Sequence, residues 1–318
     1  MTTAQVAFLF PGQGSQPVGM GRALADQFPE ARAVFEAADD ALGERLSRLC
    51  FDGPEEALKL TANTQPAILT ASLAVHAVVR ARLPAPAFVA GHSLGEYSAL
   101  VAARALSLAD AVRSVRARGT FMQEAVPPGA GAMAAVLGLA PERVKALCDE
   151  AAQGDVVSPA NYNSPEQTVI AGSVAAVERA TVLLKAAGAK RVLPLPVSAP
   201  FHCALMAPVV PRLSEVLGRF QVKAPEVPVL SNAEAAPNSD VTQVVPLLLA
   251  QVTAAVRWVE TVQRLHALGV TRFVEVGPGK VLSGLVKRIV TGVEIHNVED
   301  LASLEKTLQA FDRQEVRA

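Results

Sequence analysis

The sequence predicts an α/β protein whose mainly parallel sheet, covered by helices on both faces, is interrupted by one small α+β module. Three observations carry this. Apolar runs at 6–10, 87–90, 227–230 and 272–276 alternate with long helical patterns, as parallel strands joined by crossover helices require. Three of these runs end in glycine-rich turns, at 12–14, 91–95 and 277–279, the strand ends where open α/β sheets place their working groups. Residues 128–197 follow a different order, β-α-β-β-α-β, which is that of a split βαβ, ferredoxin-like unit.

Element by element, the run at 6–10 is a first strand closed by Pro11-Gly12-Gln13-Gly14-Ser15. Helical patterns cover roughly 19–50, and Pro54-Glu55-Glu56 starts another helix. The Ala-rich stretch 64–79 has a helical period until Pro84 and Pro86 break it. The strand at 87–90 precedes helices at 94–104 and 107–125, the second with Ser107 as N-cap. In the insert, strands are expected at 132–139, 156–160, 167–171 and 191–197, with a turn at 163–165. Helices fall at 141–153 and 173–187, the latter closed by Gly188. A strand at 227–230, a largely helical 241–268, a strand at 272–276, a helix from 281 and a strand around His296 complete the chain. The division is therefore 1–127 with 198–318 as the main domain and 128–197 as the subdomain.

Composition narrows the function. With 51% hydrophobic and 19% charged residues over 318 positions, the chain is globular and long enough for a full core. A net charge of −1 speaks against a nucleic-acid or anionic-membrane binder. Cys50, Cys148 and Cys203 have neither metal-ligand nor disulfide spacing, as expected in a reducing compartment. The first residues lack the basic stretch of a signal peptide. The charge-free stretches 60–79 and 192–211 contain prolines and polar groups, unlike membrane spans. A soluble cytoplasmic protein is expected.

Gly91-His92-Ser93-Leu94-Gly95 matches the pattern of a nucleophilic serine on a sharp strand-to-helix turn. Such a turn strains the serine backbone, needs glycine on either side and aims a helix N-terminus at a developing oxyanion. Of the five histidines, His76 and His266 fall in helical patterns and His296 in a strand, where structural roles are expected. His92 adjoins Ser93, and neighbours on a tight turn point apart. His202, in the loop leaving the insert, is the candidate base. No acidic residue stands out as a third member, and Glu96 reads as favouring a helix N-terminus. Gly12-Gln13-Gly14 is not a dinucleotide fingerprint; the Gln13 N–H is a candidate second donor to the oxyanion. Arg113, Arg116 and Arg118 share one helix, and pattern alone does not choose among them.

Seven blocks together resemble the malonyl-CoA:acyl carrier protein transacylases of bacterial type II fatty-acid synthesis. They are FPGQGSQPVGMG (10–21), TANTQPAILTAS (61–72), GHSLGEYSALVAA (91–103), RGTFMQEAVPPGAGAMAAVLG (118–138), NYNSPEQTVIAG (161–172), PVSAPFHCALM (196–206) and EVGPGKVLSGL (275–285). The resemblance implies an α/β-hydrolase-like core with a ferredoxin-like insert. It implies that Ser93 forms a malonyl ester, that His202 is its general base, and that Gln13 and Leu94 N–H groups form the oxyanion hole. Arg118 would clamp the malonyl carboxylate, and a Gln251 backbone carbonyl would orient the histidine. Malonyl-CoA and acyl carrier protein would be the substrates in a ping-pong transfer, with no metal or redox cofactor. Phe201 departs from the serine found in many stand-alone relatives and is similar to malonyl-selective polyketide synthase domains; its bulk would disfavour a branched α-carbon. The alternatives are a discrete polyketide synthase or malonate decarboxylase acyltransferase, and a serine thioesterase, for which the Arg118 clamp has no purpose.

Overall fold

The structure, a computed structural model, describes residues 5–197 and 199–315. Residues 1–4, 198 and 316–318 lie outside the described residues. The chain opens with β1 (Gln5–Phe10) and five helices: α1 (Arg22–Gln27), α2 (Pro29–Leu42), α3 (Leu46–Asp52), α4 (Glu55–Lys59) and α5 (Thr61–Val79). Next come β2 (Phe88–Gly91), α6 (Gly95–Ala102) and α7 (Leu108–Glu124). The insert comprises β3 (Gly131–Leu137), α8 (Pro141–Ala152), β4 (Val157–Ser164), β5 (Gln167–Ser173), α9 (Val174–Ala186) and β6 (Arg191–Pro194). A 3-10 turn at Ala204–Met206 leads to α10 (Val209–Leu217), β7 (Val229–Leu230), β8 (Pro237–Asn238), α11 (Val241–Thr253) and α12 (Trp258–Ala267). The chain closes with β9 (Val270–Val276), α13 (Val281–Ile289), β10 (Glu294–Val298) and α14 (Leu301–Glu315).

Two sheets result. The larger has the order β10-β9-β1-β2-β7-β8, parallel throughout except for the β8 edge. The smaller, β4-β5-β3-β6, is antiparallel, and α8 and α9 cover it as a ferredoxin-like unit. Central β1 is buried from Val6 to Phe10, the continuous apolar run expected of a strand covered on both faces. Helix α5 is also buried on nearly every side, so its Ala-rich surface lets neighbouring helices approach closely.

Where the fold departs from the sequence expectation, local chemistry explains it. The helical stretch 19–50 is three helices, broken at extended Phe28 and at Gly43, whose φ of 66° ends α2. The stretch 241–268 breaks after Thr253 because Val256 leaves the helix to pair with the insert. Val256 N donates to Ala160 O at 2.9 Å, and Val256 O accepts from Tyr162 N at 2.9 Å. That pairing ties the smaller sheet to the larger domain. The insert turn lies at Pro165-Glu166, because β4 continues through Ser164. Helices α10 and α14 and the two-residue β8 carry no sequence expectation at all.

Candidate active site

At the carboxyl end of β2 the chain turns abruptly into α6. A Cβ on Gly91 would stand 1.9 Å from the Gly95 carbonyl, and one on Gly95 would stand 2.2 Å from Phe10 O. Only glycine fits at either point. Between them Ser93 has φ 53°, the left-handed region that L side chains rarely adopt. Asn232, just past β7, grips this turn from both sides: its Oδ1 accepts from Ser93 N at 2.6 Å, and its Nδ2 donates to Gly91 O at 2.7 Å.

Ser93 Oγ lies 2.8 Å from Nε2 of buried His202. On the other side of the ring, Nδ1 is 2.9 Å from the Gln251 carbonyl oxygen. A carbonyl only accepts, so the proton sits on Nδ1 and the Nε2 lone pair faces the serine hydroxyl. Burial, then the nearby Arg118 charge, push the imidazole down to about 3, so at neutral pH it is neutral and its Nε2 lone pair is free.

Arg118, on α7, is 1% exposed and reaches the same oxygen. One terminal nitrogen donates to Gln65 Oε1 at 2.8 Å; the other donates to Gln251 Oε1 at 2.9 Å and to Ser93 Oγ at 3.2 Å. All these partners are neutral oxygens, and Nε has none among the described residues. A buried guanidinium in such surroundings has capacity for an anion. Of the three arginines on α7, Arg118 is the one that reaches Ser93. Arg113 and Arg116 are turned outward, donating to the Ala41 and Ala62 carbonyls and pairing with Asp110 and Glu44.

Gln13 and Leu94 sit on adjacent turns. A Cβ on Gly12 would come within 2.5 Å of His92 O, and His92 N donates to Phe10 O at 3.0 Å. Neither the Gln13 nor the Leu94 N–H donates to any group among the described residues. Phe201 is half-buried between the main core and the cluster of Met133, Ala135, Val169 and Cys203. The other histidines stand apart from Ser93 Oγ. His92 Nε2 meets Asn163 Oδ1 at 2.9 Å beside Trp258, and His76, pushed down to about 4 by burial, packs edgewise on Phe8 and Phe10.

The network reaches further than sequence pattern indicated. Glu96, 3% exposed, accepts from Gln251 Nε2 at 2.7 Å and from Asn232 N at 3.0 Å. Burial pushes its carboxyl up to about 7, against the lowering effect of these two hydrogen bonds and of the Arg118 charge. Gln65, Asn163 and Asn232 also escaped notice. The only sequence signal was position: Asn232 follows a strand end, and the other two lie in the blocks at 61–72 and 161–172. Among the described residues no group of three or more His, Cys, Asp or Glu is placed to hold a metal ion, and no helix is long and apolar enough to cross a membrane.

A strained serine at a strand end, a neutral imidazole on its oxygen and two unoccupied N–H donors are the equipment of an enzyme that carries an acyl group on serine. The acyl transferase domain family matches residues 7–315. Curated relatives include the malonyl CoA-acyl carrier protein transacylases of Escherichia coli, 49% identical over 96% of this chain and 99% of that protein, and of Bacillus subtilis, 48% identical over 97% and 98%. Among solved structures, the acyl carrier protein S-malonyltransferase of Vibrio cholerae is 49% identical with a TM-score of 0.93, covering 96% of this chain and 100% of that one. A malonyl-transacylase in complex with its type II PKS acyl-carrier protein is 47% identical with a TM-score of 0.94, covering 96% and 100%. The chain is an acyltransferase and belongs to the malonyl CoA-acyl carrier protein transacylase family.

Proposed function

We propose that this protein transfers the malonyl group of malonyl-CoA to the phosphopantetheine thiol of acyl carrier protein through a malonyl-Ser93 ester, supplying the extender unit for fatty-acid elongation. The observation that carries the reading is convergence on one atom: Ser93 Oγ is within 2.8 Å of the His202 base and 3.2 Å of the buried Arg118 guanidinium. In the first half-reaction His202 Nε2 takes the Ser93 hydroxyl proton as Oγ attacks the thioester carbonyl. The Gln13 and Leu94 N–H groups stabilise the tetrahedral oxyanion. As the C–S bond breaks, His202 returns the proton to the leaving CoA thiolate. The carrier thiol then attacks the ester, giving its proton to His202, which passes it to Ser93 as the ester bond breaks. Arg118 exchanges its hydrogen bond to Ser93 Oγ for the free malonyl carboxylate, held through two parallel hydrogen bonds. The Gln251 carbonyl keeps the imidazole in the productive tautomer, and the Phe201 ring limits bulk at the α-carbon.

The chemistry needs no metal or redox cofactor, because serine and imidazole supply every proton and bond exchange. The same reading assigns catalysis to 1–127 with 198–318 and a separately folded core to 128–197, supported by the two sheets and their distinct apolar clusters. It places the enzyme in the cytoplasm with its soluble substrates. The test is intact-mass spectrometry after incubation with malonyl-CoA. A malonyl increment should map to Ser93 and disappear on adding carrier protein; an unmodified Ser93 during turnover would refute the mechanism.

A further inference from the structure

We infer that Glu96 is a positioning residue for acyl transfer, acting through the Gln251 amide on Arg118 and through Asn232 on the Ser93 turn. The inference rests on the roles proposed above for Ser93, His202 and Arg118. An acidic residue in the first turn of α6 is ordinarily accounted for by the helix dipole and solvent. Glu96 is instead buried. A buried carboxyl group is costly unless hydrogen-bonded, so its partners carry the explanation.

Both recorded partners meet one oxygen, Oε2: Gln251 Nε2 at 2.7 Å and Asn232 N at 3.0 Å. The Gln251 side chain has a donor end and an acceptor end. Nε2 donates to Glu96 Oε2 and, at 3.0 Å, to Ser93 O, which leaves Oε1 to accept from Arg118 at 2.9 Å. Turned over, the amide would set N–H groups against a guanidinium and its oxygen against two other oxygens. Glu96 thus sets the sense of the amide, and the amide provides Arg118 with one of its three oxygen partners. Gln251 is also the residue whose carbonyl orients His202. Asn232, held at its backbone N–H by the same Glu96 oxygen, spans the nucleophile turn with its side chain. One oxygen that touches no reacting atom therefore braces the two residues that hold clamp, base and nucleophile.

This relay depends on reach rather than charge. In Glu96→Gln an amide oxygen can take the place of Oε2. In Glu96→Asp the carboxyl group stays but its oxygen withdraws by about 1.5 Å, one methylene. Glu96→Met keeps the volume and drops the acceptor. The experiment compares kcat/KM for transfer from malonyl-CoA and acetyl-CoA, normalised to the fraction of protein acylated at Ser93 so that misfolded molecules do not count. Glu96→Asp and Glu96→Met should lower the malonyl-to-acetyl ratio about tenfold or more, the loss expected when a charge-assisted contact is misplaced. Glu96→Gln should rescue the ratio to within about threefold of wild type. Should Glu96→Asp fail to fold, Glu96→Met gives the same reading. An unchanged ratio in the foldable loss variant, or Glu96→Gln falling as far as that variant, overturns the inference. An unacylated wild-type Ser93 would overturn the proposed mechanism instead, so the two failures are distinguishable.

Discussion

In the proposed mechanism selectivity rests on a single residue, Arg118. Its guanidinium is buried among neutral oxygens, so in the proposed clamp a malonyl carboxylate would gain two charge-assisted hydrogen bonds that an acetyl group cannot make. Replacing it with alanine should weaken malonyl transfer by about 2–4 kcal/mol, a factor of roughly 30 to 1000, and acetyl transfer far less. Equal losses with malonyl-CoA and acetyl-CoA in steady-state assays would remove the clamp. The role proposed for Phe201 rests on bulk rather than charge. Half-buried between two apolar clusters, it has limited room to yield to a branched acyl group. Phe201→Ser should raise methylmalonyl use relative to malonyl about tenfold, within the 1–3 kcal/mol that one carbon is worth in a pocket. An unchanged ratio in a competition assay would remove the ring from the specificity argument. Much at this scale was legible beforehand because a nucleophile turn has a sequence pattern, and because seven blocks resemble one family. What was not legible is the wiring. Glu96 looks like an ordinary first-turn acid, and Asn232 lies 139 residues from the backbone N–H that it holds. Hydrogen-bond partners brought together by the sheet leave no local periodicity to read.

The turn that carries Ser93 is an element-scale device, and glycine is its material. Strands β1 and β2 pair in parallel, Phe10 opposite Gly91, so their two exit turns press against each other. Gly95 faces Phe10 O across that contact, where an added Cβ would stand 2.2 Å away. Gly95→Ala must shift rigid backbone rather than a flexible side chain. It should cost about 3 kcal/mol in urea unfolding and reduce acylation of Ser93 as well. Gly284 is the contrast: it sits exposed inside α13, with nothing within 4 Å of an added Cβ. Gly284→Ala should stabilise by about 0.5–1 kcal/mol. If the two variants had similar midpoints, the close packing of the turns would not be the constraint. The contrast also marks what sequence periodicity conveys about elements. Strands with continuous apolar runs and helices with caps were legible, as at Ser107, which accepts from Asp110 N at 3.0 Å. The break between α11 and α12 was not, because Val256 leaves the helix for hydrogen bonds with β4, a long-range pairing that overrides local helical pattern.

For the whole molecule, burying ionisable groups fixes how stability answers to pH, and two sets of groups pull in opposite directions. His202 is pushed down to about 3 and His76 to about 4, chiefly by burial. Burial lowers His92 as well. The unfolded chain binds protons at these positions from about pH 6.5 downward while the folded chain refuses them, so they erode stability as pH falls below that value. Glu96 and Glu275 are both pushed up to about 7 by burial. Folded carboxyls that hold their protons up to about 7 favour the native state at low pH, and that contribution is lost as pH rises from about 4.5 through 7. Between about pH 4.5 and 6.5 the two glutamates offset only part of the slope of His202, His76, His92 and His296, the last also lowered by burial, each group contributing up to about 1.4 kcal/mol per pH unit. Below about 4.5 the glutamate slope ends, because both states are then protonated, and the histidine slope continues alone. Glu30, Asp240 and Asp300, lowered mainly by hydrogen bonds, add to the loss there. Urea unfolding midpoints should therefore fall gently from pH 6.5 to pH 5, with the glutamates holding back part of the loss, and drop steeply below about 4.5. A steep decline that begins already at pH 6.5 would show that Glu96 and Glu275 do not hold their protons in the folded state; Glu96→Gln and Glu275→Gln, measured across the same range, would identify which carboxyl is ionised.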